Sequence, residues 1–241
     1  MEIFVLGSAD MNSKRFSASY LIDKKILVDM PGGASTELMR HGIAPTSVET
    51  VLITHMHGDH ILGLPVWALQ KSKMTPPPEE GSIRICVNEE QKPCLENIVR
   101  SSFSTSLTEE KTGRYFRWIT ENDLSLRDLH VQRIPVSHGT LPGSFGYLVS
   151  DGRVTAGFTG DSGLCEGVRE IVSSSDLAFC DCDLITGTEK HMGIDDLLSL
   201  TKKFPGTKIV ASHMRDETRE ELKRLRPERI TIASDGDIFC L

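Results

Sequence analysis

The sequence predicts a mixed α/β or α+β layered fold, and three observations support this prediction. Short segments rich in Val, Ile and Leu recur between turn residues, and there are too many of them for a helical fold. Helical segments lie between them, which is typical of sheets covered by helices. The chain has 241 residues, 39% of them apolar and 25% charged, so it can bury a full core. We therefore expect a single domain over residues 1–241.

The predicted elements follow one another along the chain without an internal repeat. Strands are predicted from EIFVL, SYLID, KILVD, TVLIT, IRICV, HVQRIPV, GYLVS, VTAGFTG, LAFCD, KIVAS and ITIAS. Helices are predicted from ASTELMRH before Gly42, LPVWALQKSK, QKPCLENIVRSSF, IDDLLSLTKKF before Pro205, and RDETREELKRL before Pro227. The segment from Lys71 to Ser82 contains three prolines and is predicted to be a surface loop, because strand and helix patterns resume on both sides.

Charge and composition exclude several classes of protein. The 27 Lys and Arg residues against 34 Asp and Glu residues give a formal charge of −7, so no global positive field attracts long polyanions. The acidic start MEIFVLGSAD predicts a first strand and not a signal peptide, and no apolar stretch reaches membrane-spanning length. The six cysteines then predict reduced thiols in a cytoplasmic protein. Cys180 and Cys182 could hold a structural metal, but we prefer two buried strand cysteines because no second pair matches them.

The segment THMHGDH carries an unusual density of potential metal ligands. His55, His57, Asp59 and His60 follow a predicted apolar strand and precede a predicted helix, so they share one loop. Imidazole nitrogens and carboxylate oxygens suit divalent zinc, and Gly58 permits the turn that lets them converge. A catalytic zinc takes about three protein ligands and a water, so four candidates on one loop predict two metal ions.

Three further candidate ligands each follow a predicted apolar strand. These are His138 in RIPVSHG, Asp161 in AGFTGDSG and His213 in KIVASHM. An isolated His or Asp at a strand end usually caps or hydrogen-bonds the backbone, so none of the three is informative alone. Together with the loop of four ligands, they predict a binuclear metal centre at strand ends of a rigid scaffold.

With these motifs the chain resembles the metallo-β-lactamase fold superfamily of binuclear metallohydrolases, over nearly its whole length. The resemblance implies a four-layer αβ/βα sandwich, with two mixed β-sheets and helices outside. It implies two zinc ions, which manganese could replace, and a hydroxide between them as nucleophile. A homodimer is also expected. One ion would be bound by His55, His57 and His138, the other by Asp59, His60 and His213, with Asp161 as the bridge and Asp29 of ILVDMPGG orienting a ligand.

The segment from DLAFCDCDLITG through HMGIDDLLSL to KIVASHM is similar to the phosphodiesterase branch, which includes ribonuclease Z and a cyclic phosphodiesterase. In that branch a histidine before the last metal ligand contacts the phosphate or protonates the leaving group, and His191 has this position. Alone, His191 would be interpreted as a surface residue at the start of a helix. Gly193 replaces the usual Thr, and CDCD stands where ribonuclease Z has a Glu-Ala-Thr element, which leaves Asp181 as a candidate partner. The expected catalytic residues are His191, Asp59 and Asp161.

Asp161 lies only 23 positions after His138, a gap that one hairpin fills. This leaves no room for the long arm with which many ribonuclease Z proteins grip tRNA. The resemblance implies a zinc-dependent phosphodiesterase, and the short gap together with the negative charge favours small, including cyclic, phosphodiesters or short RNA ends as its substrates. Three alternatives remain open: hydrolysis of a lactone, thioester or β-lactam; ribonuclease Z-like tRNA 3′ processing; and a non-catalytic metal carrier or sensor. No surface for long nucleic acids is evident, since Lys111 to Trp118, KTGRYFRW, is better interpreted as a core edge than as a base-stacking lip.

Overall fold

The protein forms two mixed sheets in a computed structural model that describes all 241 residues. The strands are β1 (Glu2–Gly7), β2 (Ser19–Ile22), β3 (Ile26–Val28), β4 (Thr50–Leu52), β5 (Ile83–Cys86), β6 (Phe116–Ile119), β7 (Asp123–Leu126), β8 (Leu129–Pro135), β9 (Phe145–Ser150), β10 (Thr155–Phe158), β11 (Leu177–Asp181), β12 (Lys208–Ser212), β13 (Ile230–Ile232) and β14 (Ile238–Cys240). The helices are α1 (Ala34–Arg40), α2 (Gly58–Ile61), α3 (Leu64–Ser72), α4 (Lys92–Ser102), α5 (Glu109–Tyr115), α6 (Glu166–Ser173), α7 (Ile194–Lys203) and α8 (Asp216–Leu225), with a short 3₁₀ helix at Pro45–Ser47.

Each sheet has seven strands and combines an antiparallel half with a parallel half. The first sheet has the order β14-β1-β2-β3-β4-β5-β6, and the second has the order β13-β12-β11-β10-β9-β8-β7. Strands β3 to β6 are parallel to one another, as are β10 to β13. Parallel strands are covered on both faces, which explains why β3, β4 and β11 are buried along their whole length.

Three apolar clusters separate the layers. One lies between the sheets and includes Tyr20, Phe158 and Phe179. A second lies under α1, α3 and α4 on the outer face of the first sheet, and a third lies under α6, α7 and α8 on the second sheet. The predicted four-layer sandwich, with two mixed sheets and helices outside, is confirmed. None of the helices has the length and apolar character needed to cross a bilayer.

The five predicted helices correspond to α1, α3, α4, α7 and α8. Lys111–Trp118 is divided between the end of α5 and β6, the edge strand of the first sheet, and Phe116 is buried while Trp118 packs against the core. The predicted loop begins later than Lys71, because α3 extends to Ser72 and the Lys71 side chain is only 5% exposed. The connection from His138 to Asp161 contains the antiparallel pair β9 and β10, which is the predicted hairpin.

Candidate metal centre and active site

The candidate site lies where strand ends of the two sheets meet. Loops at such an edge can bring together side chains from several strands, which is why ligands of α/β proteins bind there. Asp29 directly follows β3, and the loop after β4 leads into α2 with the histidine-rich motif. The second sheet contributes residues that follow β8, β10 and β12. The predicted metal ligands that the structure brings together are His55, His57, Asp59, His60, His138, Asp161 and His213.

These residues form two clusters with the carboxylate of Asp161 between them. Oδ2 of Asp161 lies 3.7 Å from Nε2 of His55, 3.5 Å from Nε2 of His60 and 3.3 Å from Nε2 of His213. Within each cluster the candidate ligand atoms lie within 4.8 Å of one another, and the two sets are those that the resemblance implies. The first contains His55, His57, His138 and Asp161, and the second contains Asp59, His60 and His213.

The nitrogen atoms at the centre of the site fit a divalent cation. The Nε2 atoms of His55, His60 and His213 are buried and have no hydrogen-bond partner in the protein. Leaving buried polar atoms unpaired costs free energy, so these lone pairs require a partner from outside the chain. Cations that prefer imidazole and carboxylate ligands, one in each cluster, would satisfy these nitrogens and the carboxylate of Asp161.

Asp29 and Thr54 orient two of these rings. The Asp29 carboxylate accepts hydrogen bonds from the Thr54 backbone N–H at 2.8 Å and from the Thr54 hydroxyl at 2.7 Å. Nδ1 of His60 lies 2.8 Å from Oδ2 of Asp29, and Nδ1 of His55 lies 3.0 Å from the Thr54 hydroxyl. With the proton of each ring on Nδ1, each Nε2 presents a lone pair to the cluster. Asp29 therefore contacts a candidate ligand and not the centre of the site.

The backbone helps to orient the two other buried histidines, His138 and His213. Nδ1 of His138 donates to the carbonyl of Lys190 at 2.7 Å, and its Nε2 lies 3.3 Å from Nδ1 of His57. His213 and Asp29 have left-handed backbones, with φ of 53° and 58°. Non-glycine residues seldom adopt this conformation, and it persists only where the surrounding structure holds the residue in place.

His191 lies beside both clusters and is paired with Asp181. Its Nδ1 lies 2.9 Å from Oδ2 of Asp181, which also accepts the backbone N–H of Ser162 at 3.0 Å. The His191 ring stacks on His213 with centroids 5.5 Å apart and meets His138 edge-on at 4.8 Å. Burial opposes protonation of His191, but Asp181 outweighs it and raises the pKa of the imidazole. With Nδ1 engaged and the side chain 18% exposed, Nε2 is the nitrogen left to meet a ligand.

Burial and neighbouring charges shift the pKa values of several residues in the site. Burial lowers the pKa of His55 well below its ordinary value, and the charge of His60 adds to this effect. Burial also opposes protonation of His60 and His213, but the carboxylates around them, of which Asp161 acts most strongly, together outweigh it and raise both pKa values. The same histidines outweigh burial at Asp161 and hold its pKa well below the ordinary value. Asp161 is therefore ionised at neutral pH, as a metal ligand must be.

Some contacts of the site have no counterpart in the sequence prediction. The Thr54 hydroxyl connects Asp29 with His55, and its only sequence signal is its place as the first residue of THMHGDH. Arg215, two residues after His213, forms two 2.9 Å contacts with the buried carboxylate of Asp183. The carbonyl of Lys190 has no sequence signal at all, because any residue has a carbonyl.

The cysteines lie outside the metal centre. All six are free thiols. Cys180 lies in β11 and Cys182 directly follows it; both are buried in the core beneath α7, where burial raises the pKa of each thiol. No group of potential metal ligands includes either cysteine.

Comparison with known proteins identifies the family. Residues 1–238 match the family model described as the anti-Pycsar protein Apyc1. A ribonuclease Z of Streptococcus thermophilus is 30% identical over 135 residues, which are 52% of this chain and 42% of the relative. The match to a ribonuclease Z of Pyrobaculum arsenaticum covers 22% of that protein, so these matches span less than half of each relative's length.

Solved structures are similar over the whole chain. A diphosphatase from the PhnP family has a TM-score of 0.77 at 21% identity, covering 100% of this chain and 97% of its own. The short form of human tRNase Z has a TM-score of 0.76 at 18% identity, covering 100% and 99%. At such identities the likeness shows the fold alone, which is that of the metallo-β-lactamases. The chain therefore belongs to the family of the anti-Pycsar protein Apyc1.

Proposed function

We propose that this protein is a zinc-dependent phosphodiesterase that hydrolyses small phosphodiesters, cyclic ones included. The observation that carries the proposal is the pairing of His191 with Asp181 beside both ligand clusters. A proton donor at this place is needed for an alkoxide leaving group, and less so for a thioester. Relatives named a diphosphatase and a ribonuclease Z support chemistry at phosphorus.

The two clusters would hold two zinc ions, or manganese in their place. His55, His57 and His138 would bind one ion, Asp59, His60 and His213 the other, and Asp161 both. Bound ions of this kind supply an activated water as nucleophile and neutralise charge that develops on phosphoryl oxygens.

Side chains of the protein orient the metal ligands and transfer the proton. Asp29 and Thr54 keep the Nε2 lone pairs of His60 and His55 directed into the site. His191 donates the proton on Nε2 to the departing oxygen, and Asp181 stabilises the imidazolium before the transfer. General acid catalysis of this kind contributes about 10²- to 10⁴-fold to the rate.

The connection between His138 and Asp161 favours a small substrate. It contains the strands β9 and β10, which pair directly across Ser150 and Thr155. No segment protrudes there to hold a folded RNA, and the chain carries a net charge of −7. Long polyanions would therefore gain little from binding, whereas a small phosphodiester reaches the site without such contacts.

The test compares four substrates on protein with measured metal content: 3′,5′-cyclic AMP, bis(p-nitrophenyl) phosphate, a lactone and a thioester. We expect turnover of the phosphodiesters, and a loss of about 10²- to 10⁴-fold on the cyclic nucleotide in His191→Ala with its metal content unchanged. His130→Ala is the matched control, because His130 is exposed on β8 outside both clusters. Turnover of the lactone or thioester alone, or full activity of His191→Ala, would overturn the proposal.

A further inference from the structure

A polar groove lies at the end of the first sheet opposite the metal centre. It has a volume of about 470 Å³. Lys25, Glu49 and Ser82, which line it, immediately precede β3, β4 and β5, whereas Asp29 and the histidine-rich loop follow β3 and β4. A ligand in this groove would therefore not occupy the catalytic site.

The groove concentrates positive charge in a chain that is negative overall. Four cations line it against two carboxylates, Glu49 and Glu79. Glu49 is already paired twice, with Lys25 at 3.0 Å and with Arg127 at 2.6 Å. These two contacts are the only ion pairs among the residues that line the groove. Lys71 and Arg84 therefore have no carboxylate within ion-pair distance.

Lys71 is the most unusual of these residues. Its side chain is only 5% exposed, yet its ammonium makes one hydrogen bond, to the carbonyl of Thr46 at 2.9 Å. An ammonium has three N–H donors, so two of them have no partner in the protein. Burial lowers the pKa of Lys71; Glu49 opposes this, and the nearby charges of Lys25 and Arg84 reinforce it. The ammonium faces the groove without a carboxylate partner, so a bound anion could accept the two remaining N–H groups.

The lining also restricts the chemistry of the ligand. No aromatic side chain lines the groove, so a nucleobase has nothing to stack on. The segment Pro76–Pro78 forms one wall and offers no backbone N–H. The side-chain donors of the groove include the two free cations and the hydroxyls of Thr46, Ser47 and Ser82. Ammonium, guanidinium and hydroxyl donors of this kind recognise phosphate oxygens.

We propose that this groove is a second ligand site, which binds a compact phosphate anion between Lys71 and Arg84. The site is separate from the metal centre and does not depend on the function proposed for it.

The test is calorimetric titration of the metal-loaded protein with inorganic phosphate at constant ionic strength. Wild-type protein is compared with Lys71→Met, Arg84→Gln and the control Lys202→Gln, which removes an exposed cation of α7 far from the groove. We expect each groove variant to weaken phosphate binding by about tenfold or more, the effect of losing one charge-assisted hydrogen bond, and the control to bind as wild type does.

Two results would overturn the proposal. One is the absence of phosphate binding to wild-type protein. The other is equal phosphate affinity in wild type and in both groove variants, which would assign the bound phosphate to the metal centre. If Lys71→Met does not fold, Arg84→Gln decides the question alone, because Arg84 is only half-buried and its replacement perturbs the fold less.

Discussion

At the scale of single residues, the metal centre depends on which nitrogen of each imidazole carries the proton. Asp29, the Thr54 hydroxyl and the Lys190 carbonyl each meet an Nδ1 atom, of His60, His55 and His138 respectively. Partners of this kind fix the tautomer and the orientation of metal ligands. The convergence of the seven candidate ligands was predictable because each occurs after an apolar strand, but the orientation of their rings was not. A hydroxyl and a carbonyl have no distinctive sequence pattern.

Replacing Asp29 by Asn tests this arrangement. The amide can accept the Thr54 backbone N–H through its oxygen, but its NH₂ group would then face Nδ1–H of His60. His60 would be driven to carry its proton on Nε2, which blocks the lone pair that faces the cluster. We expect Asp29→Asn to weaken zinc affinity by about 10- to 100-fold, measured by competition with a chelating dye. Asp123→Asn, at an exposed residue, should change nothing; equal affinity of the two variants would contradict the role of Asp29.

At the scale of elements, most helices and strands were predictable, whereas the helices α2, α5 and α6 and the strands β6, β7 and β14 were not. Five predicted helices correspond to observed ones, and α7 and α8 end next to the prolines that mark them. The four residues of α2 are too few to show a helical period, and α5 buries a single residue, Thr112. The edge strand β14 has only Phe239 packed on the core, so its sequence lacks the pattern of a buried strand.

Helix α6 packs closely on the second sheet, at Gly167. A β-carbon added at Gly167 would overlap the carbonyl oxygen of Pro135 in β8. We expect Gly167→Ala to reduce the free energy of unfolding by about 1–3 kcal/mol through overpacking, measured by urea denaturation. Gly113→Ala is the matched helical control, because nothing lies within 4 Å of a β-carbon there. It should be neutral or stabilise the protein by up to about 1 kcal/mol; equal effects of the two changes would contradict the close packing of α6.

At the scale of the whole molecule, the metal centre joins the two sheets. The segment after β4 of the first sheet supplies His55, His57, Asp59 and His60. The segments after β8, β10 and β12 of the second sheet supply His138, Asp161 and His213. The overall sandwich was predictable from the resemblance that these motifs carry. The groove at the opposite end was not, because Lys25, Lys71, Arg84 and Arg127 are dispersed in the sequence and converge only in the folded chain.

Because both sheets supply ligands, metal binding should stabilise the folded chain. A metal ion that binds only the folded state at 100 times its Kd adds about 2.7 kcal/mol. We expect dialysis against EDTA to lower the melting temperature, and zinc to restore it. His191→Ala should show the same metal-dependent shift, since His191 is not proposed as a ligand. An unchanged melting temperature after verified metal removal would contradict a centre shared between the sheets.

Protonation of the leaving group of a phosphodiester by His191 can be measured by varying that leaving group. The ratio of kcat/KM between wild type and His191→Ala should be about 10² to 10⁴ for 3′,5′-cyclic AMP, which expels an alkoxide that needs a proton. It should be less than about tenfold for bis(p-nitrophenyl) phosphate, whose phenolate leaves as a stable anion. The same ratio for both substrates would contradict the claim and restrict His191 to binding or positioning.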